Sequence, residues 1–310
     1  MRHVYILHEN DAWVKPITKV LDTAGVPYKL WSLIEGSYDV AETPPEGIFF
    51  CKMSASAHTR GHHAAATYAD SLLHWLESHG CIVINGLNAL RLELSKAAQY
   101  AALYAAGIAF PCTKIVSGRN HLLAAAETIG YPVIVKHNRG GKGIGVQLFH
   151  EAASLMNHVE SSDYVEPVDG ISLVQKYIRP PEPFITRLEY IGGKFLYAVR
   201  VDTSQGFELC PAEACAVDGA KKPMFEIQKD FFHPIVEAHE KFLRKNKIAV
   251  AGIEIIANNK GDVFTYDINV NTNYNPEAEA RAGIYGTEVL ADFLKQMLQG
   301  TTKNLLTVAE

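Results

Sequence analysis

The sequence predicts an α/β layer in roughly the first 90 residues, followed by α+β structure. Three observations support this. Short apolar runs alternate with helical stretches as far as CIVING, which indicates a parallel sheet. Later apolar runs are separated by turns at Gly192–Gly193 and Asn258–Asp262, which favours antiparallel pairing. A chain of 310 residues that is 48% hydrophobic can also bury a large core and divide into two or three domains.

Strand and helix patterns alternate along the N-terminal layer. The predicted strands are HVYILH, PYKLWS, GIFFCKM and CIVING. Helical spacing of apolar residues is found near Val14–Ala24 and over Ala64–His79, where Leu72, Leu73 and Leu76 share one side. These elements together give a layer in which helices cover a parallel sheet.

The remainder of the chain begins with a helix, LELSKAAQYAALYAAG, which Gly107 is expected to end. Strands are then predicted in IAFPCTKIV, YPVIVKH and SLVQKYI, with helices in HLLAAAETIG and near Glu151–Val159. The C-terminal part is predicted to contain strands at Thr186–Ile191, Lys194–Val201, Val250–Asn258 and Val263–Val270, and helices at Phe231–Asn246 and Gly286–Gln299.

Composition excludes several classes of protein. A net charge of −5 gives no general reason to expect nucleic-acid binding, so an anion site has to be locally basic. The five cysteines include no C-x-x-C pair, and their odd number favours reduced thiols. No signal-peptide pattern and no run of about 18 apolar residues is present. We therefore expect a soluble, cytoplasmic protein without membrane or nucleic-acid partners.

A glycine-rich hairpin, VIVKHNRGGKGIGVQLF, spans Val133–Phe149. Four glycines and three cations between two strand patterns suit a polyanion that backbone N–H groups approach, although a charged surface hairpin is the simpler alternative. The hairpin is not a Walker P-loop, since Val146 stands where lysine is required. It is not a dinucleotide fingerprint either, because Leu148 replaces the third glycine and a strand follows.

A second signal consists of oxygen ligands in the stretch Ala251–Glu277. Asp267 and Asn269 are two residues apart in a strand and so share a face. A loop at Asn259–Asp262 would place Glu254 opposite Asp267, and two such close carboxylates need a cation. Oxygen donors without Cys or His select Mg²⁺ or Mn²⁺. A solvated polar hairpin is the alternative, but the apolar run AGIEII argues against it.

Together the two signals describe a clamp for a nucleoside triphosphate. The residues resemble the ATP-grasp superfamily, most closely its RimK-like carboxylate–amine ligase branch, over about residues 85–285. The resemblance is carried by an ordered series: Asn85-Gly86, Lys96, the G-x-x-x-P-x-T pattern from Gly107 to Thr113, PVIVKHNRGGKGIGV, LVQKYI, Arg187, Arg200, Glu254, and Asp267-Ile-Asn269 continuing to Asn273.

The resemblance implies three domains. Residues 1–90 would form a Rossmann-like pre-ATP-grasp domain, and residues 91–174 an ATP-grasp small subdomain that carries the glycine-rich flap. Residues 175–310 would form a C-terminal ATP-grasp subdomain with the metal site. Many ATP-grasp proteins dimerise through the N-terminal layer, so a homodimer is a further expectation.

The resemblance also implies roles for individual residues. Lys96 and Lys136 would contact the α- and β-phosphates of ATP, while Arg187 and Arg200 would lie by the transferred phosphoryl group and the acyl intermediate. Asn273 would reach substrate or phosphate, unless it only forms a turn in NVNTNYNP. The other expected nucleotide contacts are Arg139, Gly140, Gly141, Lys142, Gly143, Gln175, Lys176, Tyr177, Ile178 and Glu182. The expected Mg²⁺ ligands are Glu254, Asp267 and Asn269.

This chain departs from the family pattern at two places. Ile185 stands where RimK-like members usually carry an acid, so Glu182 is the candidate for a ribose contact. Asp267-x-Asn269 replaces the commoner Glu-x-Asn pair, and Glu254 replaces a frequent Asp. These replacements keep charge and oxygen donors, so the metal site is expected to survive while the substrate stays open.

The N-terminal stretch KMSASAHTRGHHAAA admits two interpretations. His58 and His62 would be four residues apart on one helix face if the helix begins early, which would allow a metal site. No carboxylate lies in the stretch, and a basic, hydroxyl-rich turn before a helix also suits a carboxylate substrate. Arg60 and His62 are accordingly candidates for substrate recognition.

The expected activity is ADP-forming ligation of a small-molecule or peptide carboxylate to an amine through an acylphosphate. Arg200→Ala would then be expected to spare ATP binding and nearly abolish turnover. A phosphotransferase on the same fold and a non-catalytic ATP-binding regulator are the alternatives. A ligase releases one inorganic phosphate per ADP, whereas a kinase releases none.

Overall fold

In the computed structural model, residues 2–141, 143, 145–204 and 224–300 are described, and they form three β-sheets with helices packed against them. Lys142 and most of the loop after Thr203 lie outside the described residues. None of the described helices combines the length and the apolar character that crossing a bilayer requires.

The first sheet is parallel, as the alternating pattern predicts. Its strands are β1 (His3–His8), β2 (Tyr28–Ser32), β3 (Gly47–Lys52) and β4 (Ile82–Ile84), in the order β2-β1-β3-β4. Helices α1 (Asp11–Thr23) and α2 (Ala65–Ser78) connect them. The sheet's strand order changes direction between β1 and β3, so the loops after these strands meet at one carboxyl edge.

The prediction of a single helix over LELSKAAQYAALYAAG is wrong, because the chain forms two helices there. These are α3 (Leu87–Leu94) and α4 (Lys96–Ala105). Ser95 between them is extended, and its hydroxyl accepts a hydrogen bond from the N–H of Ala98 at 3.2 Å. A serine that caps α4 therefore interrupts the helical pattern, and Lys96 becomes the first residue of α4.

The second sheet is antiparallel and contains the glycine-rich hairpin. Its strands are β5 (Thr113–Ser117), β6 (Val133–His137), β7 (Gln147–Phe149) and β8 (Ile171–Lys176), in the order β5-β8-β6-β7. Helices α5 (Leu122–Ile129) and α6 (Ala152–Glu160) pack on it through Leu122 and Leu155. The two strand patterns that flank the glycines pair as predicted. Strand β8 runs across the position 174/175 where we placed a domain boundary.

The third sheet is antiparallel, with the order β11-β10-β9-β12-β13. Its strands are β9 (Phe184–Ile191), β10 (Lys194–Asp202), β11 (Phe225–Gln228), β12 (Val250–Ala257) and β13 (Val263–Asn269). Helices α7 (Ile235–Lys245), α8 (Pro276–Ala282) and α9 (Gly286–Gln299) accompany it. Strand β11 and helix α8 are too short for apolar periodicity to reveal them, and the sequence did not predict them.

Asn85 fastens the first sheet to the third. Its side-chain amide donates to the carbonyls of Val250 (2.8 Å) and Val270 (3.1 Å) and accepts from the N–H groups of Ala249 and Val250. Asn85 has a left-handed φ of 55°, a conformation that asparagine tolerates better than most residues. The N-terminal sheet is thereby held against β12 and the segment after β13.

Candidate active site

A cavity between the second and third sheets brings together most of the predicted site residues, and the loop after β3 closes one end of it. Trp13, Ser54 and Ser56 line this N-terminal end, whereas Ile178 and Ile185 line the opposite end, where β8 runs towards β9. The predicted residues that line the cavity are Lys96, Lys136, Gly140, Gly141, Gly143, Gln175, Lys176, Tyr177, Ile178, Arg187, Glu254, Asp267, Asn269 and Asn273.

The two carboxylates of the predicted metal site face each other across β12 and β13. Glu254 pairs with Asp267 in the register and Gly252 pairs with Asn269. The side chains of Glu254 and Asp267 are 19% and 17% exposed. Burial raises the pKa of Glu254. Burial also opposes the charge of Asp267, but Lys96 and Lys136 outweigh it and keep the pKa of Asp267 below its usual value.

The donor set fits a hard divalent cation. Two carboxylates and the side chain of Asn269 offer only oxygen donors to such an ion, and Mg²⁺ commonly takes one or two carboxylates with phosphate and water completing its shell. Among the described residues there is no group of three or more His, Cys, Asp or Glu side chains that could hold a metal without such help. Asp267 forms an ion pair with Lys96, and Glu254 one with Arg187 at 3.0 Å. Lys96 and Arg187 thereby offset the repulsion between the two carboxylates.

Lys96 and Lys136 reach the cavity from different elements. Lys96 at the start of α4 is buried, and although burial opposes its charge, Asp267 raises the pKa of Lys96. The ammonium of Lys136 at the end of β6 donates to the hydroxyl of Tyr100 at 2.9 Å and to the carbonyl of Tyr266 at 3.4 Å. That carbonyl belongs to the extra residue of a β-bulge, because Ile255 pairs with Thr265 whereas Glu254 pairs with Asp267.

Lys136 is a buried lysine that forms no ion pair with a carboxylate among the described residues. Burial, together with the nearby charge of Lys96, lowers the pKa of Lys136 to about 7. Because an anionic ligand would favour the charged form, binding of Mg²⁺–ADP is expected to take up a proton at Lys136. Below pH 7 the free protein already carries that proton, so the uptake should grow as the pH rises from 6 to 8. Titration calorimetry in buffers of different ionisation enthalpy measures it.

The matched variant for this measurement is Lys136→Met, which keeps the length of the side chain and removes the titrating group. We expect weaker nucleotide binding by this variant and a loss of the pH-dependent proton uptake. If the variant takes up the same number of protons as the wild type at every pH, the uptake does not arise at Lys136.

Arg187 has a dense set of partners. Its Nε donates to Glu189 at 2.6 Å, its Nη1 to Glu254 at 3.0 Å and its Nη2 to Thr272 at 2.7 Å. Arg187 is 6% exposed, and although burial opposes its charge, Glu189 and Glu254 raise its pKa above the usual value. The guanidinium is therefore fixed and charged on the wall of the cavity.

Arg200, which the resemblance placed beside the phosphoryl group, does not face the cavity. Residues Val199 and Arg187 are direct partners in the register and share a face, so the adjacent Arg200 points to the other side of the sheet. An unbroken hairpin from the turn at Gly192–Gly193 would pair Arg200 with Ile185 on the cavity face. A bulge between Phe195 and Tyr197 shifts the register by one residue and turns Arg200 away.

Arg200 instead pairs with Glu182, the proposed ribose contact. The two side chains form an ion pair at 2.6 Å, with 35% and 64% of their surface exposed, and the guanidinium lies 3.8 Å from the ring centroid of Phe184. Neither Arg200 nor Glu182 lines the cavity. We therefore assign neither of them to the site, and the expectation that Arg200→Ala abolishes turnover is withdrawn.

The hinge, which comprises the last residue of β8 and the two residues after it (Lys176–Ile178), offers one backbone donor to a ligand. The N–H of Lys176 donates to Cys112 and that of Tyr177 to Pro132, while the N–H of Ile178 has no partner among the described residues. The ammonium of Lys176 bonds to the carbonyls of Gly130 and Tyr131, so this side chain holds the second sheet together. Gln175 donates to Tyr100 and Thr113, both at 2.7 Å, and is likewise committed to the protein.

The glycine-rich flap lies against the N-terminal loop. A Cβ built on Gly141 would be 3.5 Å from Cβ of Ser56, which is ordinary contact distance. Arg139 is half-buried, and its Nε and Nη2 are buried without a hydrogen-bond partner among the described residues. Lys142, the third predicted cation of the flap, lies outside those residues. The flap thus carries a guanidinium with two unpartnered nitrogens, although Arg139 itself does not line the cavity.

The candidates in the N-terminal stretch bond to one buried carboxylate. Arg60 donates to Glu9 at 2.5 Å and 3.3 Å, and His62 Nδ1 lies 2.8 Å from the same group. Nδ1 of His58 instead lies 3.1 Å from the carbonyl oxygen of Ala55. Residues 57–60 form only a short 3₁₀ turn and α2 begins at Ala65, so the two histidines do not share a helix face. The metal alternative for this stretch is wrong.

Three further residues line or shape the cavity that sequence reasoning did not assign. Glu93 accepts from the N–H groups of Ala55, Val270 and Asn271 and so joins three segments of the wall. Tyr100 links Lys136 to Gln175. The side-chain oxygen of Asn271 is buried in the wall without a partner among the described residues. Only the asparagine-rich run after β13 hinted at any of these.

Several known proteins are similar to this chain in sequence. The family model described as the carbamoyl-phosphate synthase L chain, ATP binding domain, matches residues 96–182. β-Citrylglutamate synthase B of Danio rerio is 22% identical over 231 residues, which are 74% of this chain and 54% of that protein. The probable α-L-glutamate ligase of Xanthomonas euvesicatoria pv. vesicatoria (strain 85-10) is 24% identical over 244 residues, 76% and 75% of the two chains.

The fold has a close counterpart among solved structures. A RimK domain ATP-grasp protein from Sphaerobacter thermophilus superposes with a TM-score of 0.67 at 18% identity, over 94% of this chain and 98% of the other. The cavity with its carboxylates, its buried lysines and its glycine-rich flap lies within that shared fold. The chain therefore has the fold of a RimK domain ATP-grasp protein, and in sequence it is similar to an ATP binding domain and to a probable glutamate ligase.

Proposed function

We propose that the protein is an ATP-dependent, ADP-forming ligase that activates a substrate carboxylate as an acylphosphate and joins it to an amine. One observation carries the proposal. Lys96 and Arg187 are paired with Asp267 and Glu254 on the wall of a cavity, the ammonium of Lys136 reaches the same wall, and the glycine-rich flap also lines the cavity. This arrangement brings cations and oxygen ligands to a space that a triphosphate and a carboxylate must share.

The nucleotide is proposed to lie along the cavity with its base at the hinge. The unpartnered N–H of Ile178 is a donor for the base, and the apolar side chains of Ile134, Ile178 and Ile185 line that end. The phosphates would extend to Lys136 and Lys96, under the flap that carries Arg139. Glu254, Asp267 and Asn269 would hold Mg²⁺, which when bound neutralises phosphate charge.

The reaction proceeds in two displacements. A carboxylate oxygen of the substrate attacks the γ-phosphorus, a new O–P bond forms, and the bond to the β–γ bridging oxygen breaks to release ADP. The amine then attacks the acyl carbon, the C–O bond breaks, and phosphate leaves with the bonding electrons while the amine loses a proton. Lys96, Lys136 and Arg187 offset the negative charge that both displacements bring together. Closure of the flap keeps water away from the acylphosphate.

The two organic substrates are proposed to bind at the N-terminal end of the cavity. Ser54, Ser56 and Trp13 line this end, and the unpartnered oxygen of Asn271 is an acceptor for an N–H of the amine. The curated relatives carry the names of a glutamate ligase and a β-citrylglutamate synthase, so amino acids and small polycarboxylates are the substrates to test first. Short peptides with a free carboxylate form the second group.

A stoichiometric assay tests this function. Purified protein with Mg²⁺ and ATP is screened against pairs of carboxylates and amines, including glutamate, citrate and dipeptides, and ADP and inorganic phosphate are measured together. We expect one phosphate per ADP in the presence of the right pair, and a product whose mass is the sum of the two substrates minus one water. EDTA should stop both signals.

The same assay separates the alternatives. A phosphotransferase would form ADP without inorganic phosphate and add the mass of a phosphoryl group to its substrate. A regulator would bind Mg²⁺–ATP without any turnover that a carboxylate stimulates. Either result would overturn the ligase proposal.

A further inference from the structure

Arg187 has donors left over for a ligand. A guanidinium has five N–H groups, and the bonds to Glu189, Glu254 and Thr272 use three of them, one on each nitrogen. One N–H on Nη1 and one on Nη2 remain without an acceptor among the described residues. Because Arg187 lines the cavity, these two N–H groups are available to phosphoryl or acyl oxygens.

The hydroxyl of Thr272 fixes the direction of the guanidinium. It accepts from Nη2 of Arg187 at 2.7 Å and donates to Oε2 of Glu189 at 2.8 Å. Glu189 in turn accepts from Nε of Arg187 with its other oxygen. Thr272 and Glu189 are each 2% exposed, so water does not compete for these bonds. The hydroxyl and the carboxylate together hold one edge of the guanidinium.

The backbone of β12 supports the guanidinium from another side. A Cβ built on Gly252 would lie 2.4 Å from Nη2 of Arg187 and 2.6 Å from its Nε, which is closer than atoms can approach. Glycine is therefore required at position 252 for the guanidinium to occupy its place.

Lys52 connects this cluster to the N-terminal sheet. It is the last residue of β3 and is 4% exposed, and its ammonium donates to the carbonyl oxygen of Thr272 at 3.0 Å. Burial lowers the pKa of Lys52 to about 8, while the nearby carboxylates of Glu93 and Glu189 oppose that shift. The carbonyl of Thr272 thus accepts from Lys52 of the N-terminal sheet, and its hydroxyl bonds to Arg187 and Glu189 of the third sheet.

We propose that Thr272 is a positioning residue that aims the two remaining N–H groups of Arg187 at the transferred phosphoryl group, and that Lys52 sets Thr272 from the N-terminal sheet. The inference rests on the proposed function, because it assumes that a phosphoryl group is transferred in this cavity. Thr272 itself acts only through Arg187. Binding of nucleotide alone, which the lysines support, should not depend on it.

The test compares Thr272→Val, which removes the hydroxyl at nearly constant shape, with Thr272→Ser, which keeps it. Titration calorimetry measures binding of Mg²⁺–ADP alone and of Mg²⁺–ADP with aluminium fluoride, a mimic of the transferred phosphoryl group. We expect Thr272→Val to bind Mg²⁺–ADP like the wild type and to lose about ten- to a hundred-fold of the affinity gained with aluminium fluoride. Thr272→Ser should retain that gain, and Lys52→Met should lose part of it.

The outcomes separate positioning from a general structural role. Equal weakening of both probes in Thr272→Val, or equal loss in the valine and serine variants, would overturn the proposal, as would an unchanged gain with aluminium fluoride in Thr272→Val. Thermal melting shows whether each variant is folded at the assay temperature. Failure of the wild type to bind Mg²⁺–ADP would overturn the proposed function itself, and this inference with it.

Discussion

Replacing Asp267 by asparagine is expected to reduce kcat by about 10²–10³-fold or more, because the change removes a charged oxygen that faces both Glu254 and Lys96. The amide keeps the shape of the side chain but cannot balance a divalent cation. The Mg²⁺ concentration for half-maximal activity should rise at the same time. Steady-state ADP release at a series of Mg²⁺ concentrations measures both effects.

The matched control is Asp262→Asn, in the turn between β12 and β13. Asp262 is exposed, and among the described residues its carboxylate accepts one hydrogen bond, from the side chain of Asn258 at 2.8 Å. This variant should keep the activity and the Mg²⁺ dependence of the wild type. If Asp267→Asn also keeps both, Asp267 is not a metal ligand, and its carboxylate serves only to pair with Lys96.

The pairing of Glu254 with Asp267 shows what can be predicted by counting paired residues outward from a hairpin turn. A loop at Asn259–Asp262 gives this pair directly, but in the structure the strands already pair at Ala257 and Val263, which shifts the register by one residue. The bulge at Tyr266 shifts it back before Glu254 is reached. The predicted contact is confirmed because two deviations cancel, and the bulge also turns a carbonyl towards Lys136.

For Arg200, counting paired residues from the turn gives the wrong face of the sheet. Its neighbours predict a strand, and the turn at Gly192–Gly193 predicts the register, but no local pattern marks the bulge between Phe195 and Tyr197. One extra residue moves every following side chain to the other face of the sheet. A register shift of one residue therefore decides whether Arg200 faces the cavity or the opposite side. Bulges depend on packing between distant segments, which one sequence does not show.

The parallel N-terminal sheet was predictable from apolar runs that alternate with helical stretches, and antiparallel pairing in the later sheets from apolar runs separated by turns. The network around Arg187 was not predictable to the same degree. Lys52, Thr272 and Gly252 come from three segments far apart in the chain, and each has an ordinary local explanation. Only the fold reveals that they surround one guanidinium.

Arg187→Met is expected to destabilise the protein by about 3–5 kcal/mol, because it leaves Glu189 as a buried charge without its cation. Glu189 is 2% exposed, and among the described residues it would retain the hydroxyl of Thr272 as its side-chain hydrogen-bond donor. Urea denaturation followed by circular dichroism measures the free energy of unfolding. Arg200→Met makes the same chemical change in an exposed ion pair with Glu182 and should cost at most about 1 kcal/mol.

The destabilisation should depend on the partner carboxylate. Adding Glu189→Gln to Arg187→Met removes the stranded charge and should recover about 1–3 kcal/mol of the loss. A double variant no more stable than Arg187→Met alone would show that Arg187 acts by packing and not by compensating buried charge.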